Sequence, residues 1–289
     1  MQTWLVNTAG YLRRLGLPHL LNEPVTAEGL RALHAAHVEK VPYEALEIWL
    51  GRPTTVDPAE SAARILRGRG GYCYHLNGAF SELLRALGYD VTRHVGGVQK
   101  RGGDPGVNAN HLVLTVRGLP SAANPGGEWL VDAGLGDALH EPLPLVAGTY
   151  RQGPFQYALR PSEVAPGGWR FEHDPSGSFE GMDFDPAPTD MSAFIDMHRH
   201  LTTSPTSGYV QIATIQRRDA SGVDNLRGLT LSRLGTGVHT VTLDTAVDYY
   251  AALADVFLLP LDDASAEEKD KLWRRLYDAH ETWLSGGIA

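Results

Sequence analysis

Three residues distant from one another in the chain have the side chains that acyl transfer requires: Cys73, His111 and Asp132. Cys73 is the single cysteine of the 289 residues and stands in Arg69-Gly70-Gly71-Tyr72-Cys73. Leu76, Phe80, Leu83, Leu84 and Leu87 follow at helical spacing, and Gly88 is placed to end the helix. A thiol in the first turn of a helix meets partial positive charge and free backbone N–H groups, which favour the thiolate that attacks electrophilic carbon. Gly70 and Gly71 permit a close approach of backbone to whatever binds there. A free cysteine more often serves as a small buried hydrophobe, so the assignment depends on finding a base. His111 opens the run His111 to Val116, and Asp132 closes the run Trp129 to Asp132, with a Gly/Pro/Asn-rich loop between them. An antiparallel hairpin with its turn centred between Ser121 and Ala122 sets His111 opposite Asp132. Directly opposed Cβ atoms lie about 4.5–5.5 Å apart, a reach suited to an imidazole–carboxylate hydrogen bond.

The elements that must position these groups are legible in outline. Up to about residue 91 the pattern is helical: Tyr11 to Leu15, Thr26 to His37 with Thr26 as N-cap, Tyr43 to Leu50, Pro58 to Leu66, and the Cys73 helix. From Val91 to about Pro186 short β-branched runs alternate with Gly-rich and Pro-rich loops, which predicts an antiparallel sheet or barrel. Thr189 to Leu201 reads as a connecting helix capped by Thr189 or Asp190. Strands are expected at Tyr209 to Ile215, Gly228 to Arg233 and Gly237 to Leu243, and helices at Asp248 to Phe257 and Ala266 to Leu284. The chain is thus expected to be α+β in three parts. Residues 1–91 form a helical part bearing the nucleophile, 92–186 a β part bearing the histidine and aspartate, 187–203 a connecting helix, and 204–289 an α/β part.

Composition narrows the function classes. The chain is 43% hydrophobic and 20% charged, ordinary values for a globular protein. A formal net charge of −9 argues against broad nucleic-acid or basic membrane-contact surfaces. One cysteine excludes an intramolecular disulfide, and neither Cys-x-x-Cys nor His-Glu-x-x-His spacing occurs, so no metal is expected. Met1-Gln2-Thr3-Trp4 lacks the basic and apolar regions of a leader, which places the protein by expectation in the cytoplasm.

Arg69-Gly70-Gly71-Tyr72-Cys73 with Asn77, His111-Leu112-Val113-Leu114, and Val131-Asp132-Ala133-Gly134-Leu135-Gly136 together resemble the arylamine N-acetyltransferase family. Leu33-His34 before His37, Val41-Pro42-Tyr43-Glu44, and Thr203 to Tyr209 extend the resemblance over nearly the whole chain. The resemblance implies a helical bundle, a central antiparallel β-barrel and a C-terminal α/β lid around a Cys-His-Asp core like that of cysteine proteases. It implies Cys73, His111 and Asp132 as catalytic triad and acetyl-coenzyme A as co-substrate. An acetyl-cysteine intermediate would be formed and passed by a ping-pong route to a small arylamine or hydrazine. By motif position, acceptor contacts carry over to Tyr43, Tyr72, Leu135 and Tyr209, and cofactor contacts to Asn110, Gly134, Gly136 and Ser207.

The chain departs from that family's pattern at His75, where Glu or Gln is usual, at Ala45, usually Asn, and at Leu135, usually aromatic. The stretch Val107 to Asn110 is also atypical. The loop Lys100 to Gly106 is a candidate phosphate contact. Two other activities fit the same residues: an amide synthase that releases or cyclises a carrier-bound polyketide onto an aromatic amine, and a transglutaminase-like Cys hydrolase. A non-catalytic binding module fits least, since all three triad types are present.

Overall fold

Helices dominate the first part because its apolar residues recur every three or four positions. In the computed structural model, which describes residues 6–285, these are α1 (Thr8–Leu15), α2 (Ala27–Lys40), a two-residue strand β1 (Tyr43–Glu44), α3 (Leu46–Leu50), α4 (Pro58–Leu66) and α5 (Cys73–Ala86). Thr26 caps α2 by accepting from the Gly29 N–H at 2.9 Å. Gly88, at φ +96°, occupies the left-handed position expected just past α5. The expected helix from Tyr43 is shorter by three residues, since Tyr43 and Glu44 pair as a strand with a distant partner. The reading of Met1 to Trp4, and the outermost residues of the first and last parts, lie outside the described residues.

The β part contains β2 (Asp90–Gln99), β3 (His111–Arg117), β4 (Trp129–Val131), β5 (Leu143–Pro144), β6 (Gly148–Gln152), β7 (Phe155–Pro161), β8 (Trp169–Glu172) and β9 (Gly181–Pro188). They form one antiparallel sheet in the order β5-β4-β3-β2-β9-β8-β7-β6, curled into a nearly closed barrel. Its edges are linked by Gln152 at the end of β6. That side chain accepts from the His140 N–H at 2.8 Å and donates to the Glu141 carbonyl at 2.8 Å, just ahead of β5. Phe155, Tyr157, Phe171, Met182 and Phe184 fill the interior.

The β3–β4 hairpin corrects the expected register. Leu114 faces Val131 and Thr115 faces Leu130, which shifts the alignment by two residues from the one that opposes His111 and Asp132. The cause is the turn. Ser121 and Asn124 exchange both backbone hydrogen bonds, and Asn124 Nδ2 donates to the Glu128 carbonyl, so the centre lies between Ala122 and Ala123. A shift of two preserves the face on which each side chain points, because the strand period is two. His111 and Asp132 are therefore diagonal neighbours on one face rather than an opposed pair.

A single 3₁₀ turn at Met191–Phe194, capped by Asp190, leads into α6 (Ile195–Thr203). The expected strand at Tyr209 begins later, because Ser207 starts a short helix α7 (Gly208–Gln211) first. Then come β10 (Thr214–Asp219), β11 (Gly222–Arg227), β12 (Thr230–Gly235), β13 (His239–Thr242), α8 (Ala246–Asp255) and α9 (Ala266–Leu284). The sheet runs β1-β10-β11-β12-β13, so the helical part contributes its edge strand. The strand β11 was not legible because Asp224 and Asn225 interrupt its apolar alternation.

Arg69 binds the first and last parts together. Its buried guanidinium lies 3.4 Å from Glu44, 3.1 Å from Glu47 and 3.2 Å from Asp263. Glu44 in turn accepts from the Leu46 N–H at 2.6 Å, capping α3 where Ala45 has no side-chain donor or acceptor, and from the Gly70 N–H at 3.3 Å. Gly70 has no room for a side chain, since a Cβ would stand 1.9 Å from the Pro42 carbonyl oxygen. Replacing Arg69 with Met leaves the Glu44 carboxylate buried without its cation. Urea unfolding is expected to show a loss of about 3–5 kcal/mol, and a change within 0.5 kcal/mol would remove this network from the account of stability.

Candidate active site

Cys73 is the first residue of α5 and is buried. In the first turn of α5 the His75 and Leu76 N–H groups bond the Tyr72 carbonyl at 2.8 and 3.0 Å, which leaves those of Cys73 and Tyr74 without a helical partner. The Cys73 Sγ faces the Asn110 carbonyl at 3.7 Å. On its other side the loop after β4 packs directly onto the helix start at Gly134, where a Cβ would lie 2.7 Å from the Cys73 Cα. Only glycine allows that approach.

His111 Nε2 donates to Asp132 Oδ2 at 2.7 Å, with both side chains almost wholly buried. Burial disfavours the imidazolium, but the Asp132 carboxylate and the Cys73 sulfur beside the ring outweigh it and push the His111 pKa up to about 10. The ring is cationic at neutral pH. With Nε2 held by Asp132, Nδ1 is the nitrogen left for Cys73.

Asn77 is the residue that sequence reasoning noted but gave no role. It lies one helical turn beyond Cys73, and its Nδ2 donates to Asp132 Oδ1 at 2.7 Å and to the Leu112 carbonyl at 2.6 Å. Its Oδ1 accepts from the Ala133 N–H at 3.0 Å. One amide thus ties the cysteine's helix to both strands that carry its partners. The spacing of four from Cys73 was the available signal. His34 adds a second brace: its Nε2 accepts from the Asp132 N–H at 3.3 Å and its Nδ1 donates to the His140 carbonyl at 2.9 Å. Burial pulls the His34 pKa down to about 4, so the ring stays neutral and keeps that tautomer.

His75 occupies the third position of α5, where its Nδ1 accepts from the Tyr72 N–H at 3.4 Å. That is the reach-back of a capping box, the role a Glu or Gln plays at such a position. Burial holds the His75 pKa well below its ordinary value, so the nitrogen remains an acceptor.

Cys73 and His111 open into a cleft of about 640 Å³ whose wall includes Tyr43, Leu135, Tyr209 and Asn110. A second hollow of about 380 Å³, between His19, Val25, Leu33 and Tyr89, shares none of these residues. Asn110 is held by Val98, donating to its carbonyl at 3.1 Å and accepting from its N–H at 2.7 Å. Gly136 lies under Tyr43 and Gln216. Tyr72 stands one layer behind the cleft, with its ring stacked 4.9 Å from Tyr209 and its hydroxyl 2.6 Å from His198 Nδ1. Ser207 is also set back, donating to the Leu201 carbonyl at 2.6 Å while capping α7. Of the loop from Lys100, only Lys100 reaches the cleft. Arg101 is turned to the Pro175 and Gly177 carbonyls. The cleft also presents Asp137, Gln216 and Asn225, which sequence reasoning did not single out. Among the described residues, no group of three or more His, Cys, Asp or Glu is placed to hold a metal, and no helix is long and apolar enough to cross a membrane.

A family model described as N-acetyltransferase matches residues 26–266. The chain belongs to the arylamine N-acetyltransferase family. It is 31% identical over 278 residues to an arylamine N-acetyltransferase of Mycolicibacterium smegmatis, covering 91% of this chain and 95% of that protein. It is 32% identical over 159 residues to proansamycin X synthase of Amycolatopsis mediterranei, covering 53% of this chain and 58% of that one. The structure of Mycobacterium marinum arylamine N-acetyltransferase in complex with CoA superposes with a TM-score of 0.80 at 25% identity, over 94% of this chain and 99% of that chain. The chain is accordingly an acyltransferase, and the α+β class with a helical part, a barrel and a third α/β part is that of its relatives.

The His111–Asp132 pair carries a pH signature. A folded pKa of about 10 exceeds the unfolded value of about 6.5. Its contribution to stability is therefore complete below the unfolded value and lost as pH rises through the folded one. NMR titration of His111 is expected to show no deprotonation until pH nears 10. In Asp132→Asn the midpoint should fall steeply, since burial then acts with one opponent fewer, and a midpoint left in place would refute Asp132 as the source.

Proposed function

We propose that the chain moves an acetyl group from acetyl-coenzyme A to an aromatic amine or hydrazine through an acetyl thioester on Cys73. The observation that carries this reading is that Cys73 and His111 open on one cleft, with Asp132 bonded to His111 behind them, in a member of this family. The CoA complex of the Mycobacterium marinum relative supports the donor class.

In the first half-reaction the Cys73 thiolate attacks the thioester carbonyl carbon and a C–S bond forms. The tetrahedral oxyanion is met by first-turn N–H groups of α5, beginning with that of Cys73. As the intermediate collapses, the bond to the coenzyme sulfur breaks and His111 gives its proton to that leaving thiolate. The ring is then neutral and available as a base. In the second half-reaction the amine nitrogen attacks the acetyl carbon, His111 takes the nitrogen's proton, and the Cys73 thiolate departs. Asp132 keeps the ring oriented and stabilises its cation in both halves, while Asn77 and His34 keep Asp132 in place. After one cycle the acyl carbon is bonded to the amine nitrogen, the coenzyme has left as its thiol, and the Cys73 thiolate and protonated His111 are restored.

The proansamycin X synthase relative favours one second reading, amide synthesis from a larger acyl thioester with the same residues. The aliphatic Leu135 in the lining of the cleft is compatible with either donor.

Intact-protein mass spectrometry after incubation with acetyl-coenzyme A alone is expected to show one added acetyl group, mapped to Cys73 and removed by an arylamine. Absence of that adduct on folded protein would count against the proposal, and full turnover by Cys73→Ala would end it. Asp132→Asn is expected to lower kcat by about 10⁴-fold, the cost of a mis-set imidazole in a comparable triad. A clear preference for long acyl thioesters over acetyl-coenzyme A would instead select the synthase reading.

A further inference from the structure

The wall of the cleft contributed by the five-stranded sheet is polar in an ordered way. Tyr43 on β1 is directly paired with Gln216 on β10, Gln216 with Asn225 on β11, and Asn225 with Ser232 on β12. All four line the cleft, so one cross-strand row presents a phenol, two carboxamides and a hydroxyl to whatever lies before Cys73. Leu135 is an apolar member of the same lining.

Counting donors and acceptors shows what the row leaves open. The Tyr43 and Tyr209 hydroxyls bond each other at 2.5 Å. Two hydroxyls sharing one bond retain one O–H without a partner. Burial raises the pKa of both phenols well above the ordinary range, so both protons stay in place. Gln216 Nε2 donates to Asn225 Oδ1 at 2.7 Å. That bond leaves one amide carbonyl and three amide N–H available, whichever way the two groups are turned. Tyr209 is fixed for the task, with its carbonyl accepting from Trp49 Nε1 at 3.0 Å and its ring against Tyr72.

We infer that this row makes the acceptor side of the cleft selective for aromatic amines bearing a hydroxyl, or a like group that both donates and accepts a hydrogen bond, over those bearing an alkyl group of the same size. The inference rests on the acetyl-transfer reading above. A ligand hydroxyl accepts from the spare phenol or amide proton and donates to the free amide carbonyl. A methyl group does neither and leaves those groups desolvated against it.

The test compares kcat/KM for 3- and 4-aminophenol with that for 3- and 4-methylaniline, at saturating acetyl-coenzyme A. Formation of acetyl-Cys73 is followed separately by mass. At one ring position at least, the hydroxyl compound is expected to be preferred about tenfold or more. That ratio is expected to fall about fivefold in Tyr43→Phe/Tyr209→Phe and again in Gln216→Leu. Tyr209→Phe alone provides a smaller perturbation should the double variant fold poorly. A ratio near one in the unaltered protein, or a ratio that the variants leave unchanged while acetyl-Cys73 still forms, overturns the inference and leaves the transfer reading standing. Failure of acetyl-Cys73 to form in the unaltered protein overturns both.

Discussion

The carboxylate of Asp132 is the constraint on which the rest of the site depends. It is buried, so its charge has to be met from within the protein. It accepts from His111 and Asn77 side chains and from the Gly134 backbone, while its own N–H is taken by His34. Those four partners come from β3, α5, the loop after β4 and α2. Satisfying one charge therefore requires the helical part to dock against the barrel in a single way. The same docking sets Cys73 beside His111, so the burial of an acid also aligns the proposed nucleophile with its proposed base.

Glycine and arginine make that docking possible at close quarters. Gly134 lets the barrel's loop touch the start of α5, and Gly70 lets the approach to Cys73 run against Pro42. Arg69, one residue earlier, anchors the same segment to Glu44, Glu47 and the distant Asp263. Backbone clearance and buried charge act on consecutive residues, which is why the Arg69 to Cys73 segment reads as a unit. His75 completes it by capping the helix that this segment opens.

The third part of the chain shapes the cleft without supplying Cys73, His111 or Asp132. Its sheet takes β1 as an edge strand, so Tyr43 stands in register with Gln216 and opposite Tyr209 from α7. What surrounds Cys73 is thus assembled from all three parts. The proposed chemistry belongs to the junction of helix and barrel, and the polarity of the wall belongs to the five-stranded sheet.

Local patterning alone determined much of this protein. Helical spacing and caps placed α2, α4, α5 and α9 with little error, because an amphipathic helix writes its period and its ends into neighbouring residues. Residue type singled out Cys73, His111 and Asp132, and strand parity put the last two on one face. Tertiary structure decided the rest. The hairpin register followed from the Ser121–Asn124 turn, whose hydrogen bonds are not visible as a pattern. Tyr43 became a strand residue because a partner more than 150 positions away offers it a ladder. Asn77, Gln216 and Asn225 acquired their places only through groups brought from elsewhere in the chain. Periodicity reports which face of an element is buried, whereas a site's polar contacts depend on which elements meet. That meeting is fixed by packing and by the satisfaction of buried charge, over distances along the chain that no local pattern spans.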